Sequence, residues 1–284
     1  MSAPRYGVGI GWRPEISGFV EALPGLRFTE VVAESLPRKG QVPESLRALR
    51  DRGVAVVPHG VRLSLGGAEP VDPARVEHLA SCARRLDAPL VSEHIAFVRA
   101  GGVEAGHLLP VPRTREAIDA IVANVRRTQR ELGEVPLALE PIAALFDWPD
   151  AELTEGQFLT EILDRTSALL LLDVANVYAN ARNRGESPTD LLDALLLDAL
   201  LLDALPLERI AYVHVAGGAE HEGLYHDTHT HATPPAVLEL VSELCRRASP
   251  PAIMLERDGN YPPASELVRE LDAIAAAAGW EPVT

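Results

Sequence analysis

Val54-Ala55-Val56-Val57-Pro58-His59 is a short apolar run that stops at a residue able to bind a metal. Five more stretches have the same form: Ala88–Glu93 before His94, Val135–Leu139 before Glu140, Leu169–Leu172 before Asp173, Ile210–Val213 before His214, and Ala252–Leu255 before Glu256. Runs of four or five aliphatics, with no polar alternation, read as strands buried on both faces. Two further candidates come earlier: Tyr6–Gly11, and Phe28–Ala33 ending at Glu34. Helical patterns separate all eight. Strands alternating with helices predict an α/β fold, a single (β/α)8 TIM barrel over residues 1–284. An open doubly wound sheet is the rival, but no GxGxxG follows the first strand.

The helices carry their own signals. Asp72 can cap a helix that has Pro73 at its first position. Residues 114–132 put Ile118, Ile121, Val122 and Val125 on one face. Thr154 and Gln157 form a capping-box pattern, Ser187-Pro188 opens another helix, and residues 235–247 and 263–278 supply the last two. The segment 191–205 is Leu-Leu-Asp-Ala-Leu three times over. Successive copies rotate by about 140° on a helix, so Leu appears all around it rather than in one stripe. A local expansion in a surface helix and a contact surface for a partner both fit that pattern.

Composition bounds the function. A chain of 284 residues, 47% hydrophobic, can fill one large core. The formal net charge of −15 opposes nonspecific binding to a phosphate backbone, so no nucleic-acid partner is expected. No basic stretch followed by an apolar segment opens the chain, and Asp193, Asp198 and Asp203 interrupt the Leu-rich stretch. Neither a secretory signal nor a membrane span is expected. Cys82 and Cys245 form no disulfide or CxxC pattern and read as thiols of a reducing cytoplasm.

In a barrel the C-terminal tips of all strands ring one mouth, so side chains from different strands meet there. His59, His94, Glu140, Asp173, His214 and Glu256 are the candidates at the tips. Glu93 and His94 should face opposite ways, which leaves Glu93 a supporting or packing role. Asn176 could add an amide oxygen or simply form a turn. The segment after His214 holds His221, His226, Asp227, His229 and His231. Asp227 and His229, two apart, face the same side if the loop is extended, while His226 and His231 face away or serve an outer shell. Asp258 reads as a turn residue. Imidazole with carboxylate suits iron, manganese or zinc rather than calcium or magnesium. Nine candidates exceed the capacity of one ion and imply two or three, with bridging carboxylates.

These motifs, in this order, resemble the DUF692 family, the multinuclear non-heme iron-dependent oxidases. The matching stretches are His59-Gly60-Val61 with Leu63-Ser64-Leu65-Gly66, Ser92-Glu93-His94, Leu108–Thr114, Leu139-Glu140, Leu171–Tyr178, His214–Gly217, Asp227-Thr228-His229 and Leu255–Asp258. The resemblance implies a TIM barrel with two or three irons of mixed ferrous and ferric state. It carries the ligand role to His59, His94, Glu140, Asp173, Asn176, His214, Asp227, His229 and Glu256, and Asp227 and His229 are the candidates for a catalytic role. It also implies molecular oxygen as co-substrate, a Cys, Asp or Asn side chain of a ribosomally made precursor peptide as target, and a peptide-recognition partner protein. The chain departs from the family's pattern at Glu34-Ser35, Pro141 and Thr230-His231, where Glu-Asn, Asn and Gly are usual. A zinc or manganese barrel hydrolase or sugar isomerase would share the barrel and the donors. A non-catalytic metal-binding module is the remaining reading.

Overall fold

A computed structural model describes residues 6–201 and 207–283. Eight parallel strands close into a barrel: β1 (Gly7–Trp12), β2 (Phe28–Val32), β3 (Ala55–Gly60), β4 (Val91–His94), β5 (Leu137–Glu140), β6 (Leu169–Asp173), β7 (Ile210–Val215) and β8 (Ala252–Leu255). Each strand pairs with its neighbours in sequence, and β8 closes on β1 through Gly7–Ala252 to Ile10–Leu255. This is the expected TIM barrel, and the open-sheet alternative falls with the closure.

Strand alternation divides the apolar runs between two cores. Val57, Ala138, Leu171, Tyr212 and Met254 fill the barrel interior with Phe28. Their neighbours Val56, Leu139, Leu172, Val213 and Ile253 point outward to the helices. Each fully buried aliphatic or aromatic contributes about 1.5–3 kcal/mol, so both faces of every strand are committed. Gly9 of β1 makes room inside, because a Cβ there would lie 2.6 Å from the Phe28 ring. Two residues beyond each interior position the parity is unchanged, so Phe28 leads to Glu30, Val57 to His59, Ala138 to Glu140, Leu171 to Asp173, Tyr212 to His214 and Met254 to Glu256. An apolar floor therefore carries a polar layer directly above it.

The helix signals are realised. Asp72 Oδ1 accepts from Ala74 N ahead of helix Pro73–Leu86, Thr114 caps Arg115–Leu132, and both bonds of the Thr154–Gln157 capping box form. Helix Pro188–Leu201 starts after Ser187, and helices Pro235–Arg247 and Ala264–Ala278 follow in place. In the first Leu-Leu-Asp-Ala-Leu copy, Leu192 and Leu195 are buried and Asp193 pairs with Arg247. That copy belongs to an ordinary barrel helix; the remaining side chains of the repeat lie outside the described residues.

Three expectations differ. The second strand stops at Val32, and Glu34 sits in a one-turn 3-10 segment, Ala33–Ser35, where it accepts from Val61 N. Asn176 lies in helix Val174–Arg184 rather than in a turn. The His-rich segment is an antiparallel hairpin, Gly217–His221 with Leu224–His231, and a second hairpin pairs Phe97–Ala100 with Val103–Leu109. Among the described residues no helix is long and apolar enough to cross a membrane.

Candidate metal centre

The tips of β3 to β8 deliver their side chains to one end of the barrel. His59, His94, Glu140, Asp173, Asn176, His214 and Glu256 are all buried. The His59 ring centroid lies 4.6 Å from that of His94 and 5.6 Å from that of His214. Three sets of donors each converge within 4.8 Å: His59, His94 and Glu140; Glu140, Asp173 and His214; Asp173, His229 and Glu256. Glu140 and Asp173 each belong to two sets, which chains the three together.

A hydrogen-bond network beneath this layer sets the imidazole tautomers. Glu30 is fully buried, and burial alone would raise its pKa; the facing His214 and His59 override that and hold it down at about 2. As a carboxylate it can only accept. The Tyr212 hydroxyl therefore donates to Glu30 Oε2 at 2.6 Å, and His214 Nε2 donates to the same oxygen at 2.8 Å. With the Tyr212 proton spent, Ser92 Oγ donates to the Tyr212 oxygen (2.6 Å) and His59 Nδ1 donates to Ser92 (2.8 Å). His59 Nε2 and His214 Nδ1 remain to face the carboxylates, at 3.6 Å from Glu140 Oε2 and 3.0 Å from Glu256 Oε2. Anchoring the far nitrogen in this way orients a histidine and fixes its tautomer for ligation.

The carboxylates are half satisfied in the same sense. Asp173 caps its helix through Oδ1, which accepts from Ala175 N at 2.6 Å and Asn176 N at 3.0 Å. Among the described residues its Oδ2 has no hydrogen-bond partner, and neither do Glu140 Oε2, Asp227 Oδ1, His94 Nδ1 or His214 Nδ1, all buried. Asn176 donates through Nδ2 to Pro141 O at 3.2 Å, so its amide oxygen is left for another task. Arg13 Nη2 takes Glu256 Oε1 at 3.2 Å and leaves Oε2 toward the histidines.

An orphaned buried polar group costs about 1–3 kcal/mol, more if charged. In the absence of a cation the charges compensate one another. Burial works against protonation of His94, but Glu140 and Glu93 push it up to about 9; burial, with Asp227 and Glu140, pushes Asp173 up to about 8. Metal ions among these donors would replace those protons and satisfy the orphaned atoms together, so the residues fit a metal centre.

Asp227 and His229 reach the centre from the hairpin, and their geometry corrects the extended-loop expectation. Ladder partners Gly217–His231 and Ala219–His226 leave Asp227–Thr230 bulged opposite Gly218, with His229 at φ 54°. The two side chains still share a side: His229 Nε2 lies 2.5 Å from Asp227 Oδ2. Gly218 permits the bulge, since a Cβ there would stand 2.1 Å from His226 O. Asn183 clamps the hairpin, accepting from Tyr225 N (2.7 Å) and donating to Tyr225 O (3.0 Å). His221 points to solvent, His231 turns to the Thr228 and Thr230 hydroxyls, and His226 faces the cleft rather than away from it.

The reading of strand tips overlooked four residues. Glu30 sits inside a strand, and its only signal was a charge at interior parity. Ser92 and Tyr212 looked like ordinary strand residues. Arg13 links Glu256 to Asp258 Oδ1 at 2.7 Å, while Asp258 Oδ2 faces His229 Nδ1 at 3.2 Å. Asp258 is thus more than the expected turn residue. Glu93 does take a supporting role, accepting from Leu63 N and His94 N. Above the layer opens a cleft of about 540 Å³, apolar at Leu109, Ile142, Leu145 and Phe146 and polar at His94, Glu140, Asn176 and His229.

Residues 7–279 match the family described as RiPP precursor modification enzyme MbnB/TglH/ChrH, RiPP denoting a ribosomally made, post-translationally modified peptide. A UPF0276 protein of Streptomyces avermitilis is 54% identical over 275 residues, covering 94% of this chain. The chain spans 54% of that relative's length. A UPF0276 protein of Caulobacter vibrioides is 35% identical and covers 98% of this chain and 95% of its own. Among solved structures, a xylose isomerase domain containing protein of Salmonella typhimurium superposes with TM-score 0.59 at 12% identity, covering 98% of this chain and 99% of its own. A D-allulose 3-epimerase of Methylomonas sp. gives 0.54 at 13%, covering 98% and 96%. At such identities these structures speak for the barrel alone, whereas the full-length family match and the UPF0276 relatives place this chain in the MbnB/TglH/ChrH family of RiPP precursor modification enzymes.

Proposed function

We propose that this protein is a multinuclear iron enzyme that uses molecular oxygen to oxidise a Cys, Asp or Asn side chain of a ribosomally made precursor peptide. The observation that carries this reading is the chain of three donor sets joined by Glu140 and Asp173 and opening on a cleft of about 540 Å³. His59, His94, Glu140, Asp173, Asn176, His214, Asp227, His229 and Glu256 hold two or three ions. Imidazole and carboxylate together suit iron, which would supply oxygen activation and Lewis-acid anchoring of the substrate side chain.

The protein's own residues do the rest. Glu30, Ser92 and Tyr212 keep His59 and His214 in ligating tautomers. Arg13 restricts Glu256 to one free oxygen. Asp227 and His229, at the edge where the hairpin meets the cleft, are the pair placed to take a proton from an entering side chain. The apolar wall at Leu145 and Phe146 accepts the peptide's flanking residues and limits water. A separate recognition protein delivers the peptide, and the reaction belongs to the cytoplasm, where thiols stay reduced.

Anaerobic loading with ferrous iron, followed by metal analysis, oxygen uptake and mass spectrometry of a candidate peptide, tests the proposal. Two or three irons per chain, oxygen consumption and a mass change confined to one side chain are expected. Oxygen-independent turnover with zinc or manganese would instead make it a hydrolase or isomerase.

A further inference from the structure

Four aromatic rings form a row down the barrel axis from the metal centre to the opposite end. The Tyr212 ring lies 5.3 Å from that of His214, a proposed ligand. Phe28 stands 6.1 Å from Tyr212, edge to face at 74°, and Tyr6 stands 6.1 Å beyond Phe28. The surrounding interior is aliphatic apart from Met254, and Tyr6 is only partly buried at the N-terminal end of the barrel. A phenol yields an electron readily only if its proton can leave at the same time. The Tyr212 hydroxyl donates to Glu30 Oε2 at 2.6 Å, and Glu30 Oε1 has no hydrogen-bond partner among the described residues.

We propose that Tyr212, Phe28 and Tyr6 are an escape route for oxidising equivalents, used when oxygen reacts in the absence of peptide. The proposal rests on the oxygen-dependent reading above. Tyr212 gives one electron to the oxidised iron centre and its phenolic proton to Glu30, leaving a neutral phenoxyl radical. Tyr6 then gives one electron across the Phe28 ring and its proton to solvent, while Tyr212 recovers its proton from Glu30. A thiol in solution donates a hydrogen atom to the Tyr6 radical, and the resulting thiyl radicals pair as disulfide. Oxidation is thereby carried away from the ligand histidines to a position where small reductants reach it.

Ferrous-loaded enzyme is mixed with limiting oxygen without peptide, frozen at intervals and examined by electron paramagnetic resonance, with iron content and oxygen uptake measured on the same samples. The wild type should give an organic radical whose signal narrows when ring-deuterated tyrosine is incorporated. Tyr212→Phe should abolish it and lose activity several-fold faster during peptide-free exposure to oxygen. Tyr6→Phe should prolong it several-fold. Bound iron and oxygen uptake with no radical, or a radical that survives Tyr212→Phe, overturns the route and leaves the oxidase reading standing. Failure to bind iron or consume oxygen removes both. Should Tyr212→Phe fail to hold iron, an unchanged radical lifetime in Tyr6→Phe overturns the route by itself.

Discussion

Glu140, like Asp173, belongs to two of the three sets, whereas His94 belongs to one. Glu140→Gln keeps the side chain's size and removes its charge, so two sets lose a carboxylate. His94→Ala takes an imidazole from one. Elemental analysis after identical loading should show Glu140→Gln losing about twice as much metal as His94→Ala. Equal losses would mean that the carboxylate is not shared. A second residue acts through pH. Glu34 has its pKa raised from 4.5 to about 7, first by burial and then by the neighbouring Glu93. A carboxyl with a raised folded pKa binds more protons folded than unfolded, so its contribution to stability falls as pH rises from about 4.5 to about 7 and is flat above. Glu34→Gln retains an acceptor for Val61 N and removes that slope. Its gain over wild type should grow across this window and reach on the order of 3 kcal/mol, by urea unfolding, above it. A gain over wild type that is the same at both ends of the window would refute the assignment.

At the scale of elements, the Gly217–His231 hairpin decides whether the third donor set exists. Any side chain at position 218 meets the carbonyl of His226 at 2.1 Å, which is backbone and cannot swing away. Gly218→Ala should open the bulge and withdraw Asp227 and His229. We expect a stability cost of about 1–3 kcal/mol and loss of metal from the set formed by Asp173, His229 and Glu256, with the deeper sets retained. Full occupancy in the variant would show that the hairpin does not contribute ligands. The barrel was legible because each apolar run is committed on both faces and stops where parity brings a charge inward. Glu30 escaped that reading because it lies two residues before the strand ends rather than at its tip. The hairpins escaped it although their turns left a trace: Gly101-Gly102 at φ 58° and 79°, and Glu222-Gly223 at 51° and 81°, have the positive φ pair of a type I′ turn. Gly-Gly was the readable signal of the two; Glu at the first turn position gave none.

For the whole molecule, the barrel holds its charges in two registers that answer to different partners. Arginines on the helices pair with carboxylates at the rim of the fold, as Arg165 does with Asp119 and Arg84 with Glu77, and exposed pairs of this kind contribute about 0–1 kcal/mol each. At the centre, Glu30, Glu140, Asp173 and Glu256 are buried, and their cationic partners among the described residues are the site histidines and Arg13. The stability that depends on a cation is therefore concentrated in the strand tips, because the apolar floor and the outer core are built of other residues. A ligand that binds only the folded chain adds RT ln(1 + [L]/Kd), about 4 kcal/mol at a thousandfold excess over Kd. For a barrel of this size each kcal/mol moves the midpoint by about 2–4 °C. Chelation should thus lower Tm by about 8–16 °C while leaving the far-ultraviolet dichroism at room temperature unchanged, and hydrogen exchange should accelerate at the tips of β3 to β8 and in the Gly217–His231 hairpin but not at the floor positions of the same strands. A chelated protein with unaltered Tm would mean that the buried carboxylates are neutralised by protons alone, and the strand tips would then be no metal centre.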